Sequence, residues 1–266
     1  MKKILRFVLG ALIAAAVLIV VFADDILSDQ PGFPILEYHM VQAEDPEKAW
    51  EYNVPPEDFQ EQLDYLTEHG YTAISLKDYL RARKGILVLP RKPVILTFDD
   101  GYRTNYTELL PILKERHMKA TVFMVVNYIG QDKYMTLDQL KDMRIWNIEV
   151  GSHTCNHLPM TGMSQDMLNT EIINSKLLME WADLRLIYCL SYPNGKYNDE
   201  IIDMMKSAEY QAAVTGDAGL NTIDTDPFKL TRINIPHPVL GITEFRLRLL
   251  KGRVMSWLDI DQHIAQ

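Results

Sequence analysis

Val94-Ile95-Leu96-Thr97-Phe98-Asp99-Asp100-Gly101 begins as an apolar run and ends in two adjacent carboxylates at the mouth of what reads as a buried strand. Burying charge at such a place costs several kcal/mol per ion unless a metal or an opposite charge compensates. Successive residues of an extended chain face opposite sides, so the two acids are expected to point apart. One of them can then ligate a metal while its neighbour accepts a proton.

Strands and helices alternate on both sides of this stretch. Pro34-Ile35-Leu36-Glu37-Tyr38-His39 reads as a first strand with a polar end, and Glu57 to His69 as a helix stopped by Gly70. Downstream, helices are expected over Asn105–Met118, Leu137–Arg144, Ser164–Ala182, Asp199–Ser207 and Thr243–Lys251. Strands are expected over Ala120–Val126, Ile148–Ser152, Leu186–Tyr192, Gln211–Thr215 and Arg232–Ile235. Such alternation implies an α/β fold with a mainly parallel sheet, most simply closed into a barrel. Chemistry in parallel barrels gathers at the C-terminal strand ends, where the polar clusters of this chain fall.

The 266 residues carry a formal net charge of -9 and are 47% hydrophobic, ordinary for a globular chain. The acidic balance and the lack of a long Lys/Arg block argue against nucleic acid as a partner. Cys155 and Cys189 are too few for a disulfide framework and read as buried free thiols, with a single bridge as the alternative. Met1-Lys2-Lys3 and Arg6 flank an apolar run from Phe7 to Ala23, the pattern of an export signal or a membrane anchor. The expected division is 1–23 signal peptide or anchoring hydrophobic helix, 24–33 tether, 34–266 catalytic domain. The protein is accordingly expected outside the cytoplasm, anchored at the cell surface or secreted, and monomeric.

Three further clusters follow strands. His153-Thr154-Cys155-Asn156-His157 carries two imidazoles four residues apart, which can grip one ion. Together with one of the paired aspartates they form a three-ligand set that leaves positions open for water and substrate. Ser191-Tyr192-Pro193-Asn194-Gly195-Lys196-Tyr197-Asn198 is a turn signal that can double as a rim of backbone N–H groups for an oxyanion. Tyr38-His39 ends the first strand. Of the other histidines, His69 and His117 suit helix C-termini, His263 lies in the tail, and His237 is a secondary site candidate.

These motifs resemble those of the polysaccharide deacetylases, the NodB-homology domains of carbohydrate esterase family 4, over about Pro34 to Leu250. Thr97-Phe98-Asp99-Asp100-Gly101-Tyr102 is similar to the first family motif, His153 to His157 to the second, and Ser191 to Asn198 to the third. The opening Pro34 to His39 resembles the subgroup that includes deacetylases of exopolysaccharide poly-N-acetylglucosamine. The resemblance implies a distorted parallel (β/α) barrel of fewer than eight strands. It makes Asp99 the general base, Asp100, His153 and His157 the metal ligands, and His39 the general acid. It also makes Arg232 the cation that pairs with the base, and Tyr192, Pro193, Asn194 and Gly195 the substrate and oxyanion segment. Asn194 departs from the pattern, which carries an aromatic there, and Cys155 is unusual within the second motif.

The reaction so implied is metal-dependent removal of N-acetyl groups from N-acetylglucosamine units of a cell-surface polysaccharide, with release of acetate. The cofactor expected is a divalent cation, zinc first, with cobalt, nickel, manganese and iron as alternatives. Peptidoglycan N-deacetylation and O-deacetylation are the alternatives within the enzyme class, and a silent membrane-tethered glycan-binding module the alternative outside it.

Overall fold

The computed structural model describes residues 32–43 and 50–258. The expected export or anchor segment 1–23, most of the tether and His263 lie outside the described residues. No helix among the described residues is long and apolar enough to cross a membrane.

Seven strands run in one parallel sheet: β1 (Ile35–Tyr38), β5 (Pro93–Phe98), β6 (Ala120–Met124), β7 (Ile148–Ser152), β8 (Cys189–Ser191), β9 (Ala212–Val214) and β10 (Ile233–Asn234), in the order β10-β1-β5-β6-β7-β8-β9. Between β1 and β5 the chain makes β2 (Met40–Val41), which pairs with β3 (Asn53–Val54), and β4 (Thr72–Ala73), which pairs with the start of β5. The sheet curls until its edges nearly meet. Leu230 donates its N–H to Ala213 O at 3.2 Å and accepts from Thr215 N at 2.8 Å beside β9, and three residues on β10 pairs with β1. The result is a distorted barrel.

Helices cover the outside: α1 (Pro56–Glu68), α2 (Leu76–Arg83), α3 (Leu110–Glu115), α4 (Leu137–Ile145), α5 (Gln165–Leu168), α6 (Ser175–Met179), α7 (Asp199–Ser207) and α8 (Ile242–Trp257). Their starts follow capping chemistry. Ser75 Oγ accepts from Asp78 N and Asp78 Oδ2 from Ser75 N, both at 3.1 Å, and Thr136 and Gln139 make the same reciprocal pair at α4.

Sequence periodicity overstated two elements and did not show the π turns inside a third. The helix expected over Asn105–Met118 opens as a π turn (Asn105–Leu109) and ends at Glu115. The long helix expected over Ser164–Ala182 is a continuous helical run that π turns widen at Asn169–Asn174 and Glu180–Leu184. The strand expected over Leu186–Tyr192 pairs only through Cys189–Ser191. Apolar patterning reports burial, which continues past the last ladder hydrogen bond. The helix α2 and strands β2, β3 and β4 carried too short a pattern to be read.

Side-chain alternation organises the sheet. Leu36, Leu96, Val122, Val150, Leu190 and Ala213 pack outward under the helices. Ile35, Ile95, Phe123, Cys189 and Ala212 fill the barrel interior with Leu230. Gly151 shares that interior register, and a Cβ there would meet the Phe123 ring at 2.6 Å and Cys189 Sγ at 2.9 Å. Counting by twos toward the C-terminal ends, the interior face continues into Glu37, Thr97, Asp99, His153 and Ser191.

Candidate active site

Three of those five residues, Glu37, Asp99 and His153, line with Arg232 a cavity of about 560 Å³ at the C-terminal mouth of the barrel, and Thr97 and Ser191 accept hydrogen bonds from Arg232 behind them. Asp99 follows β5 directly and is 2% exposed. Arg232 grips it with both terminal nitrogens, Nη1 to Oδ1 and Nη2 to Oδ2, each at 2.9 Å. Ser191 Oγ donates a third bond to Oδ2 at 2.9 Å. The guanidinium is itself fixed by Nε donating to Thr215 O at 2.9 Å and by Glu37 Oε1 at 3.1 Å. Burial alone would raise the Asp99 carboxyl, but Arg232, by its charge and its two hydrogen bonds, holds it well below the usual carboxylate range. Asp99 is therefore an anion. Burial pushes Glu37 the other way, upward, with Arg232 only partly opposing.

Asp100 faces a different set of groups, although not by strand alternation. The strand ends at Phe98, and Asp100 takes a left-handed backbone (φ 70) that a non-glycine residue holds only where surroundings enforce it. Gly101 follows at φ 77, packed so tightly that a Cβ would collide with Met124 Sδ. This turn aims Asp100 Oδ1 at His153 Nε2, 3.6 Å away, and at His157 Nε2, 3.5 Å away. The His153 ring donates Nδ1–H to Ser191 O at 2.8 Å, which leaves the Nε2 lone pair bare. Burial also lowers the His153 pKa against the pull of Asp99 and Asp100, so the ring is neutral.

All three donor atoms lie within 4.8 Å of one another. A cation bound at about 2.1 Å to three tetrahedral ligands separates them by about 3.4 Å, close to the two measured spacings. The donor set fits a divalent ion. His157, 31% exposed against 2% for His153, marks the open side.

The loop between these histidines is held by a residue that the motif reading missed. Glu171, buried in the π turn Asn169–Asn174, accepts from Cys155 N at 3.0 Å, Asn156 N at 2.9 Å and Asn156 Nδ2 at 2.6 Å. Ser152 Oγ accepts from Thr154 N, and Thr154 Oγ1 from His157 N. Thr154 and His157 both have left-handed backbones, so the side-chain bonds are what hold an otherwise costly turn. Cys155 and Cys189 are free and buried, and burial pushes the Cys155 thiol up to about 11.

The remaining candidates divide. His39 lines the cavity, with a ring nitrogen within 4.8 Å of carboxylate oxygens of Glu37 and Asp99 and its ring 4.9 Å from Tyr52. Tyr192, Asn194 and Gly195 line it too, while Pro193 is buried beneath. Tyr192 N–H is spent on Val214 O at 3.1 Å and Gly195 N–H on Tyr192 O at 2.8 Å, and proline has none. Asn194, at φ 55, lines the cavity between them. His237 does not line the cavity; its Nδ1–H donates to Asn53 O at 3.0 Å beside β3. Tyr102, which closes the first motif, stacks with Tyr134, 5.3 Å between ring centroids, and Tyr134 with Tyr128 at 4.5 Å, an aromatic wall of which no motif announced the last two.

The barrel mouth thus joins three donors that could hold a cation to an arginine-clamped carboxylate. Residues 88–213 match the family model described as polysaccharide deacetylase. The chain is 31% identical over 221 residues, 81% of its length and 76% of the relative's, to YxkH of Bacillus subtilis (strain 168), assigned to the polysaccharide deacetylases. It is 27% identical over 224 residues, 74% of this chain and 77% of the relative, to the poly-beta-1,6-N-acetyl-D-glucosamine N-deacetylase of Staphylococcus epidermidis. Among solved structures, the Streptococcus pyogenes deacetylase PplD in complex with acetate superposes with a TM-score of 0.75 at 29% identity, over 84% of this chain and 99% of that one. The chain belongs to the polysaccharide deacetylase family, and is a hydrolase of that family.

Proposed function

We propose that the protein removes N-acetyl groups from N-acetylglucosamine residues of a cell-surface polysaccharide and releases acetate, with a divalent cation, zinc first, held by Asp100, His153 and His157. The observation that carries this reading is the convergence of those three donors beside an aspartate kept anionic by Arg232. The N-acetylglucosamine polymer named for the staphylococcal relative supports the substrate class.

Bound there, the cation supplies Lewis acidity to the acetyl carbonyl and to a water. Asp99 accepts the proton of the attacking water, and Arg232 and Ser191 hold its carboxylate in place for it. The Asn194 N–H donates to the acetyl oxygen as negative charge develops on it. His39, protonated, donates to the departing amine, which is otherwise too basic to leave. Tyr52 and the tyrosine wall provide rings on which a sugar can stack. Action outside the cytoplasm, anchored or secreted, belongs to the same reading and rests on the basic-apolar start of the chain.

The test is acetate release from a defined N-acetylglucosamine oligomer before and after chelation, with single metals added back. Activity restored by metal in the native chain, and by none in Asp100→Asn, is the expected result. Release that persists after chelation would sink the metal assignment. Parallel assays on peptidoglycan and on O-acetylated glycans separate the related deacetylations, and a glycan-binding module would release no acetate from any of them.

A further inference from the structure

A second cavity, of about 640 Å³, opens at the opposite end of the barrel. It is lined by residues that precede strands, among them Lys119 before β6, Tyr188 before β8 and Gln211 before β9. In a chain of net charge -9 this end gathers Lys77, Arg81, Lys84, Lys119, Arg144 and Arg185 around one hollow. Two acids share it, and both are engaged. Asp78 is paired with Lys119 at 2.7 Å, and Glu149 accepts from Thr121 Oγ1 at 3.2 Å deep on the interior face.

Arg144 and Arg185 have no such partners. Neither has a carboxylate within ion-pairing distance among the described residues, and Arg144 Nη1 is shut off from solvent with no acceptor at all. A buried donor left unpaired is costly, and its usual explanation is a water or an ion. The two guanidiniums also lie near enough to repel each other, so that burial and then Arg185 lower the Arg144 pKa against the weaker opposing pull of Glu149, Tyr188 and Asp183. Arg185 is held at φ 60, ψ -153, a conformation that is nearly glycine-only. Six cations around one hollow, two of them close enough to repel each other and one with an unpaired donor, suit an anion of more than one charge.

We propose that this hollow is a phosphate-binding site, in which Arg144 and Arg185 fork the oxygens of a phosphate group and Lys77 and Arg81 supply outer charge. Its distance from the catalytic mouth, at the other end of the strands, makes it independent of acetate release. The phosphate can come from free inorganic phosphate or from the headgroup of an anionic lipid, since the chemistry recognised is the same.

The experiment titrates the full-length, metal-loaded protein with inorganic phosphate, and separately with acetate and chloride at matched ionic strength, and follows thermal stability and heat of binding. Phosphate is expected to raise the melting temperature where the monovalent anions do not. Arg185→Gln, at an exposed position, is expected to weaken phosphate binding about tenfold or more with acetate release unchanged, and Arg144→Gln to do the same if it folds. Vesicles of phosphatidylcholine with and without phosphatidylglycerol form the second arm. Extra binding to the anionic vesicles that Arg185→Gln abolishes assigns the site to lipid headgroups, and a response to inorganic phosphate alone assigns it to the free ion. Equal shifts with acetate or chloride, or a phosphate response that survives Arg185→Gln, overturn the proposal; the latter would place phosphate at the catalytic cation instead.

Discussion

Arg232 and Asp99 stand 133 residues apart in the chain and meet through two parallel hydrogen bonds of 2.9 Å, both side chains almost completely buried. A bidentate guanidinium–carboxylate pair is worth more in geometry than in net energy, because desolvating both ions consumes most of the attraction. Its value here is orientation: Asp99 is locked in one pose and one charge state. Removing either partner alone is another matter.

Arg232→Met is expected to leave Asp99 and Glu37 as facing, uncompensated buried acids and to destabilise the fold by about 3–5 kcal/mol. The measurement is chemical denaturation of the variant and of Arg232→Met/Asp99→Asn. Partial recovery in the double variant is expected, because it removes the orphaned charge, while acetate release stays lost in both.

His39→Ala is expected to lower acetate release about 100-fold or more while metal content stays constant. Paired assays of turnover and bound metal check it. An unchanged rate would exclude His39 as the acid, and His237, hydrogen-bonded beside β3, would be the next candidate to test.

Glu171→Gln keeps the shape but forfeits charge-assisted bonds to Cys155 N and Asn156 N. Residues that support ligand loops in this way typically cost about 10–100-fold in metal affinity when altered. Competition with a chelating dye reads this directly. An affinity equal to that of the native chain would mean that the loop holds its left-handed residues without Glu171.

Asp78 predicts a pH signature. Burial would raise its carboxyl, but hydrogen bonds from Lys119 and the Ser75 N–H outweigh that and lower it below its unfolded value. A carboxyl lowered on folding stabilises above the unfolded pKa, and that stability is lost as pH falls through the folded one. Asp78→Asn is therefore expected to be less stable than the native chain at neutral pH, by about 1 kcal/mol for the weakened bonds to Lys119 and Ser75 N, with the difference shrinking in acid. Melting temperatures of both chains from pH 7 down to about pH 3, below the ordinary carboxylate range, test the sign.

The sequence by itself determined the fold class and the clusters from which the site is built, for a local reason. Buried parallel strands are short apolar runs, helices announce their caps, and polar residues at strand ends stand out against both. Asp99-Asp100 and His153 to His157 are each contiguous, so their chemistry could be read without knowing where the strands pair. The two acids do diverge, yet through the left-handed turn at Asp100 rather than strand alternation, which a sequence cannot display.

Tertiary structure decided which distant groups complete those clusters. Glu37, Ser191 and Arg232 come from three other segments and meet Asp99 only because the sheet curls and sends one register of side chains inward. Glu171 reaches the histidine loop from a π turn on a separate helical run. The tyrosine wall and the cationic hollow likewise depend on neighbours across the barrel. Glu171, Tyr128, Tyr134 and the cations of the hollow lie in no motif. Glu37, Ser191 and Tyr102 do, and the family resemblance named Arg232, but their meeting depends on barrel closure, of which local pattern carries no record.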